Sequence, residues 1–141
     1  MTSVTTIPQV GDRLEPRSFG PITRTDIVRY QGASGDFVPL HHDENFARSA
    51  GYPTVFSVGM FQAGLLATYA TDWFGASTIR RYSMRFREQC WPDDVLECSG
   101  EVTGVEPQPD GGAKVTVDLV CTRAGGAVAI SASADFVVAQ A

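Results

Sequence analysis

Asp36 and His41 are the side chains of this sequence best suited to chemistry. They lie in the stretch Ser34–Glu44, which reads S-G-D-F-V-P-L-H-H-D-E. Gly35-Asp36 is a turn signal, and Pro39 biases Val38 away from helix, so Phe37–His41 is expected to be extended. A segment stiffened in this way can hold both side chains at one place. A carboxylate beside an imidazole is a general acid/base pair, and imidazole titrates near neutral pH. A plainer reading stands beside it: Asp36 as a turn residue bonded to its own backbone, and His41 as a satisfied polar residue. His41-His42-Asp43 is a poor metal site, because adjacent residues of extended chain point apart and no third ligand has a suitable spacing. Gly32-Ala33-Ser34-Gly35 does not have the form of a nucleophile elbow.

Downstream, Val58-Gly59-Met60 opens the most apolar stretch of the chain. No charged residue occurs between Arg48 and Asp72. The spacing predicts a central helix over about 59–73, closed by a glycine cap at Gly75. A helix apolar nearly all round is buried in a core or a membrane. A membrane span needs roughly 20 predominantly apolar residues, and Gln62, Gly64, Thr68 and Thr71 interrupt this one. The first amides of a helix have no internal partner and carry the positive end of its dipole. Gly59, without a Cβ, allows an oxygen atom close to them. An acid/base pair beside such a terminus can make or break a bond next to a carbonyl, with the developing oxygen charge held by backbone N–H.

The rest of the chain must position these residues. At 141 residues it is expected to form one domain, 1–141, and 43% hydrophobic residues suffice for a core. A net charge of −5 leaves no basic excess for nucleic acid or an anionic membrane surface. Residues 1–6 read as a loose end without a secretory signal, so a cytoplasmic protein is expected. Cys90, Cys98 and Cys121 are odd in number and form no C-x-x-C, which fits reduced thiols buried in strands. Thr23-Arg24-Thr25-Asp26 is a capping-box-like start for a short helix ending near Gly32. A second short helix is expected over 43–49.

After Gly75 the period changes to two. Strands are expected over 79–89, 95–105, 114–122 and 128–138, with a tight turn at Ala124-Gly125-Gly126, and Arg13-Leu14 opens a short earlier strand. One-faced alternation with short turns indicates an antiparallel sheet. The class is therefore α+β: a curved antiparallel sheet wrapped around a central helix, the hot-dog arrangement. Arg80, Arg81, Arg85 and Arg87 form a solvated strand face or meet the phosphates of a coenzyme A group. Val120, Ala127, Ala129 and Val137 sit on faces that a lone domain would solvate.

The motifs A-S-G-D-F-V-P-L-H-H-D-E-N-F-A-R and G-Y-P-T-V-F-S-V-G-M-F-Q-A-G-L-L-A resemble those of the MaoC-like hydratases and dehydratases, including the (R)-specific enoyl-CoA hydratases. The likeness runs from about Gly11 to the end of the chain. It implies that Asp36 and His41 are the catalytic pair, and that the Gly59 amide polarises a thioester carbonyl. It implies addition of water to a trans-2-enoyl thioester, or the reverse, without metal or redox cofactor, coenzyme A or an acyl carrier being part of the substrate. Val38 stands where the family often has Asn, and Val58 where it often has His. Both changes imply a more apolar wall, so Val38, Val58 and Met60 are the candidate substrate contacts. The family also implies paired hot dogs, as a homodimer or with a second hot-dog subunit. Two alternatives remain: a hot-dog thioesterase, disfavoured because no acidic residue falls between Val55 and Thr71, and a non-catalytic subunit of a heteromeric dehydratase.

Overall fold

The computed structural model describes residues 6–123 and 125–140. Most of the expected loose end, and Ala124 of the hairpin turn, lie outside them. In chain order the elements are β1 (Arg13–Phe19), α1 (Arg24–Ser34), a 3-10 turn (Pro39–His41), α2 (Glu44–Ser49), α3 (Gly59–Phe74), β2 (Ile79–Phe86), β3 (Leu96–Pro107), β4 (Ala113–Thr122) and β5 (Val128–Val138). The five strands form one antiparallel sheet in the order β1-β3-β4-β5-β2. Strands β3, β4 and β5 pair as neighbours in sequence. Strand β2 crosses to the far edge beside β5, so β1 and β2 are left as the two edges.

The helix ends follow local chemistry. The Thr23 hydroxyl accepts from the Asp26 amide and the Asp26 carboxylate accepts from the Thr23 amide, a reciprocal capping box. The Thr23 amide bonded to the carboxylate, with the Thr23 hydroxyl beside it, holds the Asp26 carboxyl below the ordinary aspartate range. Helix α1 runs past Gly32 to Ser34 and stops at Gly35, which adopts φ +76°, a conformation that favours glycine. The Asp43 carboxylate caps α2 through the Phe46 amide. Gly75 closes α3, its amide bonding the Thr71 carbonyl at 2.7 Å.

Helix α3 buries one face rather than its whole circumference. Gln62, Ala63, Leu66, Tyr69, Ala70 and Phe74 point inward. Met60, Gly64, Thr68 and Asp72, four residues apart, form an exposed stripe. The inward face meets Leu96, Cys98, Val117, Leu119, Ile130 and Phe136 of the sheet, and the Phe74 and Phe136 rings lie 4.8 Å apart. Leu66 is completely buried, and truncating such a leucine to alanine costs about 2–5 kcal/mol.

Two tyrosines fix the helix across the sheet. The Tyr69 hydroxyl donates to the Glu15 carbonyl at 2.9 Å, and Tyr82 donates to the Ala63 carbonyl at 2.8 Å. Burial pushes the Tyr69 hydroxyl up to about 12 and that of Tyr82 further in the same direction. Both remain hydrogen-bond donors throughout the neutral range. Ala129, expected on a solvated face, is fully buried in the core. The edge bond of Arg87 N–H to its carbonyl draws the chain beyond β2 over that residue.

Candidate active site

The turn between α1 and α2 carries Asp36 and His41. Beyond Gly35 the Asp36 amide donates to Ser34 Oγ at 3.2 Å, and Asp36 Oδ1 accepts from the Val38 amide at 3.2 Å. The plainer reading of Asp36 is thus realised in part: one carboxylate oxygen serves the turn. The segment 37–41 is not extended throughout. Val38 is extended, with ψ 125°, but Pro39 starts a 3-10 turn. Its missing N–H and fixed φ suit the first position of a helical turn. The turn swings His41 back toward the segment before α3.

His41 is half-buried, and its Nδ1 lies 2.7 Å from the Phe56 carbonyl oxygen. A carbonyl can only accept, so Nδ1 carries the hydrogen and Nε2 presents a lone pair in the neutral ring. The imidazole also packs edge-on against the Phe56 ring, 5.1 Å between centroids. Phe56 is three residues before Gly59. This one hydrogen bond, with Phe56 N–H to the Leu40 carbonyl at 3.4 Å, joins the Asp36–His41 turn to the N-terminus of α3. Among the described residues no hydrogen bond links Asp36 to His41.

The N-terminus of α3 has no side-chain cap, because its N-cap residue is Val58. The Phe61 amide turns back to the Val58 carbonyl at 2.9 Å. The amides of Gly59 and Met60 meet no acceptor among the described residues. Gly59 lines a cleft of about 200 Å³ with Phe56, Ser57, Gln62, Phe86 and Arg87. A Cβ at Gly59 would come within 3.0 Å of Cε1 of the Phe86 ring, so a half-exposed aromatic ring lies over the helix start. The lining of the cleft includes neither Asp36 nor His41.

Of the candidate substrate contacts, Met60 is 52% and Val38 44% exposed, while Val58 is buried at 3%. Val58 belongs to the core cluster. Among the arginines, Arg81 is engaged by Asp135 at 2.7 Å, and Arg80 donates to the carbonyls of Ser77 and Ile79. Among the described residues the Arg87 side chain bonds only Ser131 Oγ, at 3.4 Å, and it lines the Gly59 cleft.

Several residues of this region escape a reading of spacing alone. The Phe56 carbonyl orients His41, and no side-chain identity announces it. Ser57 Oγ donates to Gln62 Oε1 at 2.7 Å, both buried. Burial pushes the nearby Cys90 thiol up to about 12, with the Gln62 side chain acting in the opposite sense. Gln31 is buried beneath the Asp36 turn. Its signal was a polar residue one turn beyond Ile27, on the inward face of α1.

A family model described as the MaoC like domain matches residues 6–124. The chain belongs to the MaoC-like dehydratase family. The beta subunit of a 3-oxo-4,17-pregnadiene-20-carboxyl-CoA hydratase from Mycobacterium tuberculosis is 35% identical over 82 residues, 57% of this chain and 64% of that protein's length. An (R)-specific enoyl-CoA hydratase from Rhodospirillum rubrum is 30% identical over 106 residues, 74% of this chain and 72% of that protein. The ChsH1–ChsH2 complex from Mycobacterium tuberculosis contains a chain that superposes with a TM-score of 0.81 at 28% identity, covering 94% of this chain and 100% of that one. An (R)-hydratase from A. caviae superposes with a TM-score of 0.81, over 94% of this chain and 98% of that one. At 22% identity that second likeness shows the fold alone, which is the hot dog of the MaoC-like family.

Proposed function

We propose that this MaoC-like chain is a hydro-lyase that adds water to trans-2-enoyl thioesters to give (R)-3-hydroxyacyl thioesters, or runs the reverse dehydration. The observation that carries the reading is the 2.7 Å contact of His41 Nδ1 with the Phe56 carbonyl. It leaves Nε2 as a proton acceptor and ties the imidazole to the segment that ends in Gly59. In the forward direction Nε2, with the free oxygen of Asp36, holds one water molecule. Its oxygen adds to the β-carbon as a proton passes to the acid/base pair. The same pair returns a proton to the α-carbon, so one water is consumed and no electrons are exchanged. The Gly59 N–H holds the thioester oxygen as it gains enolate charge. This polar addition requires no redox group, and the coenzyme A or acyl-carrier moiety belongs to the substrate. Arg87, which lines the Gly59 cleft, offers a cation to an anionic carrier.

The reading rests on the family and on the hydratase relative from Rhodospirillum rubrum. The test is a spectrophotometric assay of the purified chain with crotonyl-CoA, long-chain and bulky enoyl-CoA substrates. Loss of the conjugated double bond with the thioester intact is expected. Thioester cleavage with the double bond retained would favour a thioesterase instead.

One observation favours a second reading, in which the chain works as one subunit of a two-chain hydratase. Phe37, Val38, Met60 and Phe86 are large apolar side chains left exposed at or near the proposed site. The relative from Mycobacterium tuberculosis is itself named a beta subunit. We infer that a partner hot dog covers this surface, a second copy in the simplest case. Sedimentation of the chain alone is expected to give a dimer. An inactive chain that gains hydration only with a second hot-dog protein would establish the heteromeric form, and an active monomer at micromolar concentration would exclude both.

A further inference from the structure

Gln31 is 2% exposed at the end of α1, in a place where the helix pattern calls for an apolar residue. Burying a primary amide is unfavourable unless its donors and acceptor are met. Here they are met entirely by the turn that carries Asp36. Gln31 Nε2 donates to the Asp36 carbonyl at 2.9 Å and to the Val38 carbonyl at 3.2 Å, and Oε1 faces His42 Nδ1 at 3.2 Å. Two carbonyls can only accept, so the NH2 group must face them. The oxygen therefore faces His42, which must carry its hydrogen on Nδ1. The reverse amide orientation would set an oxygen against two oxygens.

The turn also has bonds of its own: the Asp36 amide donates to Ser34 Oγ, and the His42 and Asp43 amides to the Pro39 carbonyl. The Val38 amide is held by the Asp36 carboxylate itself, and the His41 amide reaches the Val38 carbonyl at 3.2 Å. A carboxylate that must engage a water molecule during turnover is a poor fixed strut for its own loop. Gln31 holds the same turn from behind, through its backbone, and leaves the carboxylate free to change partners. The Val38 carbonyl receives both Gln31 and the His41 amide, so the hold extends to the residue that delivers the imidazole.

We propose that Gln31 is a positioning residue for the Asp36–His41 pair, and that His42 serves to lock the Gln31 amide rather than to act on substrate. This rests on the reading of Asp36 and His41 as the reacting pair. Misplacement of reacting groups by about 1 Å lowers rates by up to about 100-fold.

The test uses Gln31→Leu, Gln31→Glu and His42→Ala in the full chain, each read in two ways. Gln31→Leu removes every contact. Gln31→Glu keeps the shape and the contact to His42 but, ionised, cannot donate to the carbonyls. Both are expected to lower kcat about 10- to 100-fold, with KM within about twofold of the wild type. Without substrate, amide hydrogen exchange at His41 and Asp43 should quicken about tenfold while α3 stays protected, as in a local opening. His42→Ala, at an exposed position, should move both quantities the same way by about threefold, as for a partly loosened local unit. Unchanged kcat and unchanged exchange in a folded Gln31 variant overturn the proposal. Where neither Gln31 variant folds, the same null result in His42→Ala overturns it. A wild type without hydratase activity, but with faster turn exchange in the variants, would overturn the proposed reaction and leave Gln31 as the brace of the turn.

Discussion

Two aspartates in this molecule sit in opposite electrostatic circumstances. Asp135, on the outer face of β5, has both oxygens engaged. Arg81 grips it through Nε at 2.7 Å and a terminal nitrogen at 3.1 Å, and Thr116 Oγ1 donates at 2.8 Å. The Arg81 guanidinium holds its carboxyl below the ordinary aspartate range. Asp36 accepts one bond, from its own turn, and has no cation beside it among the described residues. A carboxylate gripped by a bidentate arginine is held as an anion and is poorly placed to take a proton. One with an open oxygen, in a turn shared with an imidazole, can take and give a proton. The same side chain serves the sheet in one place and, under the proposed function, chemistry in the other, and its neighbours decide which.

The largest expected effect tests the chemical half of that contrast. Asp36→Asn preserves an acceptor for the Val38 amide and His41→Ala leaves the backbone turn. Each is expected to lower kcat by about 10²–10⁴-fold, with circular dichroism and Tm near the wild type. Near wild-type hydration in either variant would remove the acid/base assignment.

A second variant moves to the helix start. At Gly59→Ala the new Cβ would lie 3.0 Å from the Phe86 ring edge, so the ring must give way by a few tenths of an ångström and the methyl narrows the approach to the amide. Turnover is expected to fall by about 10²-fold, the lower end for loss of an oxyanion donor. Adding Phe86→Ala should restore part of it. A complex with a substrate analogue whose carbonyl oxygen lies far from the Gly59 amide would refute the role.

Asp135→Asn tests the structural half: kcat should be unchanged and Tm lower. The pH dependence has a definite sign. The folded-state pKa of Asp135 is depressed, so its contribution is fully present above the unfolded value of about 3.9 and is lost as pH falls through the lower folded value. Thermal melts of wild type and Asp135→Asn should therefore converge in acid below about pH 4 and differ above it. A gap that persists in acid would mean that the ion pair is not its source.

The smallest effect concerns the helix fastening. Tyr82→Phe deletes the 2.8 Å bond to the Ala63 carbonyl and leaves the ring in place. A loss of about 1–2 kcal/mol is expected from urea unfolding, with kcat unchanged.

The sequence by itself determined whatever depends on neighbours along the chain. Alternation of period two specified β2 to β5, because a strand shows opposite faces at successive residues. The Thr23/Asp26 box and Gly75 specified helix ends, because the capping bonds close within a few residues. The Asp36 and His41 motif was legible as a likeness in residue type and spacing. Tertiary structure decided what depends on chain brought from elsewhere. Strand β2 lies at the edge beside β5, which no local pattern encodes. One face of α3 is left open at Met60, Gly64, Thr68 and Asp72, because a single sheet covers a single side. Pro39 bends the segment that proline was expected to extend, since its fixed φ suits a strand and the first residue of a 3-10 turn alike. The Phe56 carbonyl that orients His41 belongs to the backbone and carries no residue identity. The roles of Gln31 and Val58 follow from burial, and burial is set by what the folded chain places over them.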